Sequence, residues 1–169
     1  MNYALVVCLL TLCAAGYILA WRNASREKYD YALILLMVCG VILRFYTASD
    51  LYLHTWDESF HALVAKNLIR HPLLPTLYEN PVIPYDVHNW TANHIWLHKP
   101  PFPLWMMAYS MKIFGVNEFA LRLPSVLLST TGIFLTFSIA GQLLNKWTGF
   151  FAAFLFSING LIIELLIGA

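Results

Sequence analysis

The sequence predicts an all-α polytopic membrane protein, and three observations carry that prediction. Hydrophobic residues make up 60% of the 169-residue chain, charged residues only 11%, and the mean hydropathy is +0.65. A water-facing surface cannot be built from that composition. Four segments also run nearly or wholly without charge over lengths that suit a bilayer crossing. Finally, the charges that exist collect between those segments.

The first expected span is 2–21, since Arg22 is the first charged residue. It reads as an uncleaved anchor: the leading Met-Asn-Tyr carries no Lys or Arg, and the small-residue run Ala14-Ala15-Gly16 lies inside the apolar stretch rather than at a clean cleavage site before the polar turn. The second span, 31–49, has one interior charge, Arg44. The third, 125–144, has none, and the fourth, 148–167, has only Glu164. Acids and bases inside a membrane are functional suspects by default, although Arg44 and Glu164 both lie near the outer ends of their spans, where interface exposure is the alternative. Cys8, Cys13 and Cys39 all fall within spans, so they read as small apolar packing residues rather than a disulfide framework.

Orientation follows from the loops. The short connection holding Arg22, Arg26 and Lys28 is denser in cations than the long segment 50–124, so it belongs in the cytoplasm. The long loop then faces the outside. Lys146, between the last two spans, agrees with this arrangement. The parity requires Phe102–Phe114 not to cross. It is about 13 residues long, starts beside Pro100-Pro101 and stops at Gly115, which suits an interfacial helix with Trp105 and Tyr109 at headgroup level. A net charge of +1 offers no basic field for nucleic acid. A transporter is disfavoured because the charges gather at one face rather than at mid-membrane.

Within the external loop, Thr55-Trp56-Asp57-Glu58 fits a capping box: Thr55 caps a helix and Glu58 reaches back to the cap. Phe60, Leu63, Val64 and Leu68 then form an apolar stripe, with Glu58, His61 and Arg70 largely off it. Both acids also complement a helix N-terminus, so a purely structural role is open for each. Asp57 has no capping duty in this register. If one acid is chemical, it is Asp57, with Glu58 holding the turn.

Lys99 precedes Pro100, Pro101 and Pro103, which hold it extended at the start of the next helix. A cation at a helix N-terminus makes an anion site, and at membrane depth the natural anion is a lipid phosphate. Snorkelling to headgroups is the plainer reading. Further on, Asn117 caps a short helix and Pro124 starts the next span. Glu118 and Arg122 stand four apart, the spacing of a surface ion pair; otherwise Arg122 is a second phosphate contact. His88, His94 and His98 suggest a metal, but Pro100 disfavours a regular helix through 94–98, and no Cys or carboxylate completes a ligand set. A divalent metal therefore has no support in the residues, and no cofactor is required. Asn89-Trp90-Thr91 is an external sequon.

Taken together, Leu43-Arg44, Trp56-Asp57-Glu58, Lys99-Pro100-Pro101 and Phe114-Gly115-Val116-Asn117-Glu118-Phe119-Ala120-Leu121-Arg122 resemble the amino-terminal pattern of GT-C glycosyltransferases. The resemblance covers roughly residues 31–160 and points to the branch containing protein O-mannosyltransferases and lipid A aminoarabinose transferases. It implies transfer, with inversion, of a sugar from a polyprenyl-phosphate carrier to a lipid, glycan or protein acceptor at the external face. Asp57, with Glu58 beside it, would be catalytic; Lys99, Arg122 and His98 would bind substrate. His98 stands where lipid A–modifying relatives carry an acidic residue linked to a metal, and the segment 78–96 is longer and richer in His and aromatics than the family pattern. Family members usually have more spans, so the chain reads as the front part of a longer enzyme or one piece of a split one. Family breadth favours a bacterial inner membrane. The rival reading is a non-catalytic membrane subunit that binds lipid phosphate or scaffolds a partner.

Overall fold

The computed structural model describes residues 3–54, 57–86, 88–161 and 163. Among the described residues there are six α-helices and no strand, as an all-α membrane protein requires. Two compact units emerge: one from the chain up to Thr47 and from Ser125 onward, the other from Ala48–Pro124.

The first unit is made of long apolar helices. Helix α1 (Tyr3–Ala24) ends in a tight reversal in which Glu27 takes the left-handed backbone conformation, with φ of 60°, and Lys28 N–H bonds Asn23 O at 2.9 Å. That geometry lets helix α2 (Tyr29–Ala48) fold straight back. The two approach closely because Gly16 leaves room: a Cβ there would stand 2.3 Å from Cys39 Sγ. Cys13 and Cys39 are buried in this contact, in keeping with a packing role, whereas Cys8 is exposed. Leu5, Val7, Leu10, Leu12 and Ile18 point outward, a surface suited to hydrocarbon.

Helices α5 (Glu118–Leu143) and α6 (Lys146–Ile158) complete the unit. Asn145 Oδ1 caps α6 by accepting Thr148 N–H at 2.8 Å. Trp21 of α1 meets Trp147, Phe150, Phe151 and Phe154 of α6 edge-on, and Tyr17 Oη shares a 2.7 Å hydrogen bond with Ser157 Oγ. Arg44 is wholly buried, not exposed at an interface. Its Nε donates to Ser129 Oγ at 3.0 Å and its Nη1 to Gly40 O at 3.1 Å, while its guanidinium lies over the Phe156 ring.

Two elements differ from expectation. The helix capped by Asn117, whose Oδ1 accepts Ala120 N–H at 2.8 Å, does not stop before Pro124. It runs on as a single helix of 26 residues with Pro124 inside it. Proline removes its own backbone donor and crowds the carbonyl four residues back, and membrane helices tolerate both where neighbours pack well. Among the described residues three helices, α1, α2 and α5, are long and apolar enough to cross a membrane; α6 is shorter and ends against Asn159, whose ψ of 108° leaves the helical region. The remainder of the expected 148–167 span, including Glu164, lies outside the described residues.

A further close contact in this unit sets glycine against backbone. A Cβ on Gly149 would sit 2.6 Å from Phe137 O and 2.9 Å from Gly141 Cα. Backbone atoms cannot step aside as a side-chain tip can. Gly149→Ala is therefore expected to destabilise the α5–α6 pair by about 3 kcal/mol, the upper end for overpacking. Thermal unfolding in detergent checks this; an unchanged midpoint would show that the two helices do not meet there.

The second unit holds helices α3 (Asp57–Leu68) and α4 (Pro101–Phe114), joined by a long irregular segment. Val64, Ala65 and Leu68 of α3 pack on Leu104, Met107, Ala108 and Met111 of α4, with Leu77 and Trp96 of the connecting segment filling the same core. Asn67 Nδ2 pins that segment by donating to Thr76 O at 2.9 Å and Leu77 O at 3.2 Å. Leu77 N–H to His94 O and Trp96 N–H to Pro75 O, both 2.8 Å, tie its two ends together. Helix α4 begins on three prolines and stops at Gly115, whose φ of 89° favours glycine. The buried face of α3 is wider than the expected stripe: Glu58, His61 and Asn67 are buried, while Phe60 and Leu63 are half-buried. Buried polar groups of this kind need partners, and those partners define the site.

Candidate active site

Asp57 and Glu58 are adjacent in sequence and opposite in fate. Successive helix residues point about 100° apart, so the first turn of α3 sends one acid outward and the other inward. Glu58 is 3% exposed. Its Oε1 accepts from Arg122 Nε at 2.6 Å, and its Oε2 accepts from Arg122 Nη2 at 3.2 Å, a fork-on-fork ion pair. Oε2 also accepts the backbone N–H of His54 at 2.5 Å. Glu58 thus does reach back to the chain before the helix, one residue earlier than a capping box places it; Thr55 and Trp56 lie outside the described residues.

Arg122 is 1% exposed and uses its whole fork. Besides Glu58 it donates through Nη1 to Ala48 O at 3.3 Å and Asp50 O at 2.5 Å, and through Nη2 to Tyr52 O at 2.6 Å. Guanidinium has five N–H donors, and five bonds account for them. Arg122 therefore pairs with Glu58, not with Glu118 as its helical spacing suggested. Its donors are taken by carbonyls and a carboxylate, which leaves none to offer a phosphate.

Asp57 remains open. Its Oδ2 lies 3.1 Å from Lys99 Nζ, and the two side chains are 40% and 38% exposed. Pro100 holds the backbone extended at the start of α4, with ψ of 140°, and so delivers Lys99 to Asp57 from the far end of the loop. An accessible acid and base in contact, beside the N-terminal end of a helix, can bind an anion at the cation and take a proton at the carboxylate. His98 is exposed, and its ring stands edge-on to Trp96 at 5.7 Å.

The other expected histidine contacts disperse. His94 Nδ1 bonds the Tyr78 carbonyl, and His88 Nδ1 lies 3.5 Å from Asp86. Among the described residues no three His, Cys, Asp or Glu side chains gather as a metal site would need. In the sequon, Thr91 Oγ1 donates to Asn89 Oδ1 at 2.6 Å. An apolar groove of about 380 Å³, lined by Ser59, Ala62, Leu63, Lys66 and Leu121 among others, opens on the face of α3 away from Asp57.

One residue of the site escaped the sequence reading. His61 follows Asp57 by four positions on α3, so the two share a face, and that spacing was the available signal. It is 8% exposed, and burial pushes its pKa below the ordinary histidine value. Asp57 opposes that shift, Lys99 and His98 reinforce it, and Glu58 opposes it more weakly.

The residues from His98 onward lead to a family. Residues 98–167 match the model described as dolichyl-phosphate-mannose-protein mannosyltransferase. This mannosyltransferase family is of the GT-C type, in agreement with the resemblance seen in the motifs, though the match is narrower than 31–160 and covers less than half of the chain. It takes in His98, Lys99, helix α4 and Arg122 and leaves Asp57 and Glu58 outside. An uncharacterized protein of Aquifex aeolicus (strain VF5) is 34% identical over 113 residues, which is 65% of this chain and 20% of that protein. The chain thus spans about a fifth of that relative's length. No solved structure matches the chain.

Proposed function

We propose that this chain carries the donor and base residues of a membrane glycosyltransferase that takes a sugar from a polyprenyl-phosphate carrier at the external face. The observation that supports this reading best is the accessible Asp57–Lys99 contact of 3.1 Å, with Lys99 inside the segment that matches the mannosyltransferase family. In the reaction, an acceptor hydroxyl attacks the anomeric carbon of the sugar, from the face opposite the carrier. The carbon–oxygen bond to the phosphate breaks, its electrons pass to the phosphate, and the sugar inverts. Asp57 takes the proton released by the acceptor. Lys99 balances the charge that grows on the departing phosphate, helped by the positive end of α4.

Glu58 and Arg122 fit this scheme as the frame that holds the first turn of α3, and Asp57 with it, in place. His98 stands next to Lys99 and beside Trp96, where it can meet the phosphate or the acceptor. The acceptor's class is a lipid, glycan or protein hydroxyl, and a bacterial inner membrane suits the family's breadth.

The test is sugar transfer from a radiolabelled polyprenyl-phosphate donor pool, in membranes carrying the full-length reading frame. Removing one preorganised charge-stabilising group costs on the order of 10²–10³ in rate, so Lys99→Met is expected to lose that much while Lys99→Arg keeps part of it. Transfer by Lys99→Met at the wild-type rate would leave a non-catalytic, lipid-binding subunit as the better reading.

A further inference from the structure

His61 lies buried on α3, four residues beyond Asp57 on the same face, and ordinary packing does not account for an imidazole there. Its neighbours along the same face of α3, Val64, Ala65 and Leu68, are apolar and buried. Its ring stands edge-on to Trp96 at 6.2 Å, and Trp96 in turn stacks on Phe60 at 5.4 Å. A phenylalanine could make the same edge contact. Among the described residues nothing bonds the buried Nδ1 of His61. An unmet buried polar atom costs roughly 1–3 kcal/mol, so an apolar side chain would serve stability better. The groups that act on His61 are all of the proposed site: Asp57 and Glu58 from α3, Lys99 and His98 from the approach to α4.

We propose that His61 is a positioning residue that receives, by way of Asp57, the proton released by the acceptor hydroxyl. The inference rests on the reading of Asp57 as the base. The acceptor O–H bond breaks as its oxygen attacks, and the proton passes to the Asp57 carboxylate. It then moves on to the open nitrogen of His61, four residues along the same face of α3, forming an imidazolium, and later returns by way of Asp57 to water. Burial keeps the resting ring neutral and ready to accept. A second turnover then begins with Asp57 ionised.

The coupling can be measured without donor or acceptor. The chain is labelled with ¹⁵N-histidine, placed in lipid nanodiscs and titrated by NMR, with His61→Gln identifying the His61 signal. His61 is expected to titrate below the ordinary histidine range. Asp57→Asn should move it lower still, because the acid that favours the imidazolium is gone; Lys99→Met should move it higher. Transfer by the full-length reading frame supplies the second readout. Wild-type transfer should fall at acid pH as His61 becomes protonated, and His61→Gln should lose that limb, with a lower kcat and an unchanged KM for the donor.

The outcomes separate cleanly. A His61 titration that ignores Asp57→Asn, in an enzyme that Asp57→Asn inactivates, overturns the relay and keeps the base. Full transfer by Asp57→Asn removes the base and the relay with it. His61→Phe with the wild-type pH profile and kcat also overturns the relay, whatever its effect on stability.

Discussion

Arg122→Met is expected to destabilise the unit formed by residues 48–124 by about 3–5 kcal/mol, the range for removing one partner of a buried ion pair. Methionine nearly fills the space, so the loss is electrostatic rather than a cavity. It strands the Glu58 carboxylate at 3% exposure and releases the carbonyls of Ala48, Asp50 and Tyr52 together. Ala48 is the last residue of α2, whose terminal carbonyls have no partner within their own helix. One guanidinium therefore closes the end of one helix and fixes the start of another. Glu58→Gln should also be costly, because it leaves Arg122 buried without a counter-charge. The double variant Glu58→Gln/Arg122→Met should lose less than the two single losses added, since it strands no charge. Thermal unfolding and limited proteolysis of the four proteins give the cycle. Additive losses would mean that the two side chains do not meet in solution.

Local chemistry was legible in the sequence and long-range pairing was not. The Asn117 cap and the prolines that begin α4 were readable because each depends on a few neighbouring residues. The inward turn of Glu58 was not read: the sequence set it largely off the apolar stripe, and the fold buries it at 3% exposure. The partner of Arg122 was hidden: Glu118 offered an obvious pairing four residues away, whereas Glu58 is 64 positions distant and meets it only once α3 is docked. Burial was likewise misjudged for His61, and for Arg44 it was left open. A polar residue on an apolar face looks like an edge until the opposite wall is known, and here Trp96 and Ser129 supply those walls. Pro124 misled for another reason. It marks where one backbone donor is missing, and whether a helix stops there depends on packing that no local rule records.

Asp57→Asn, by contrast, should leave the fold almost untouched and remove most of the chemistry. The Asp57–Lys99 pair is about two-fifths exposed on each side, and exposed ion pairs contribute roughly 0–1 kcal/mol. Its thermal midpoint should therefore stay close to wild type. A positioned general base is worth on the order of 10²–10⁴ in rate, and asparagine offers the same shape with no basic oxygen, so transfer should fall by that factor. Glu58→Gln should show the reverse order, with stability lost first and transfer falling only as folded enzyme is lost. The comparison is informative because the two acids are neighbours in the chain and share a helix turn. Any general disturbance of α3 would strike both activities and both stabilities alike. Radiolabelled transfer measured beside unfolding for the same membrane preparations decides the matter. If loss of transfer in Asp57→Asn merely follows its stability, Asp57 returns to helix-end electrostatics and Lys99 to holding a lipid headgroup. If transfer collapses at constant stability, the one acid that the fold leaves open is the one that does the chemistry.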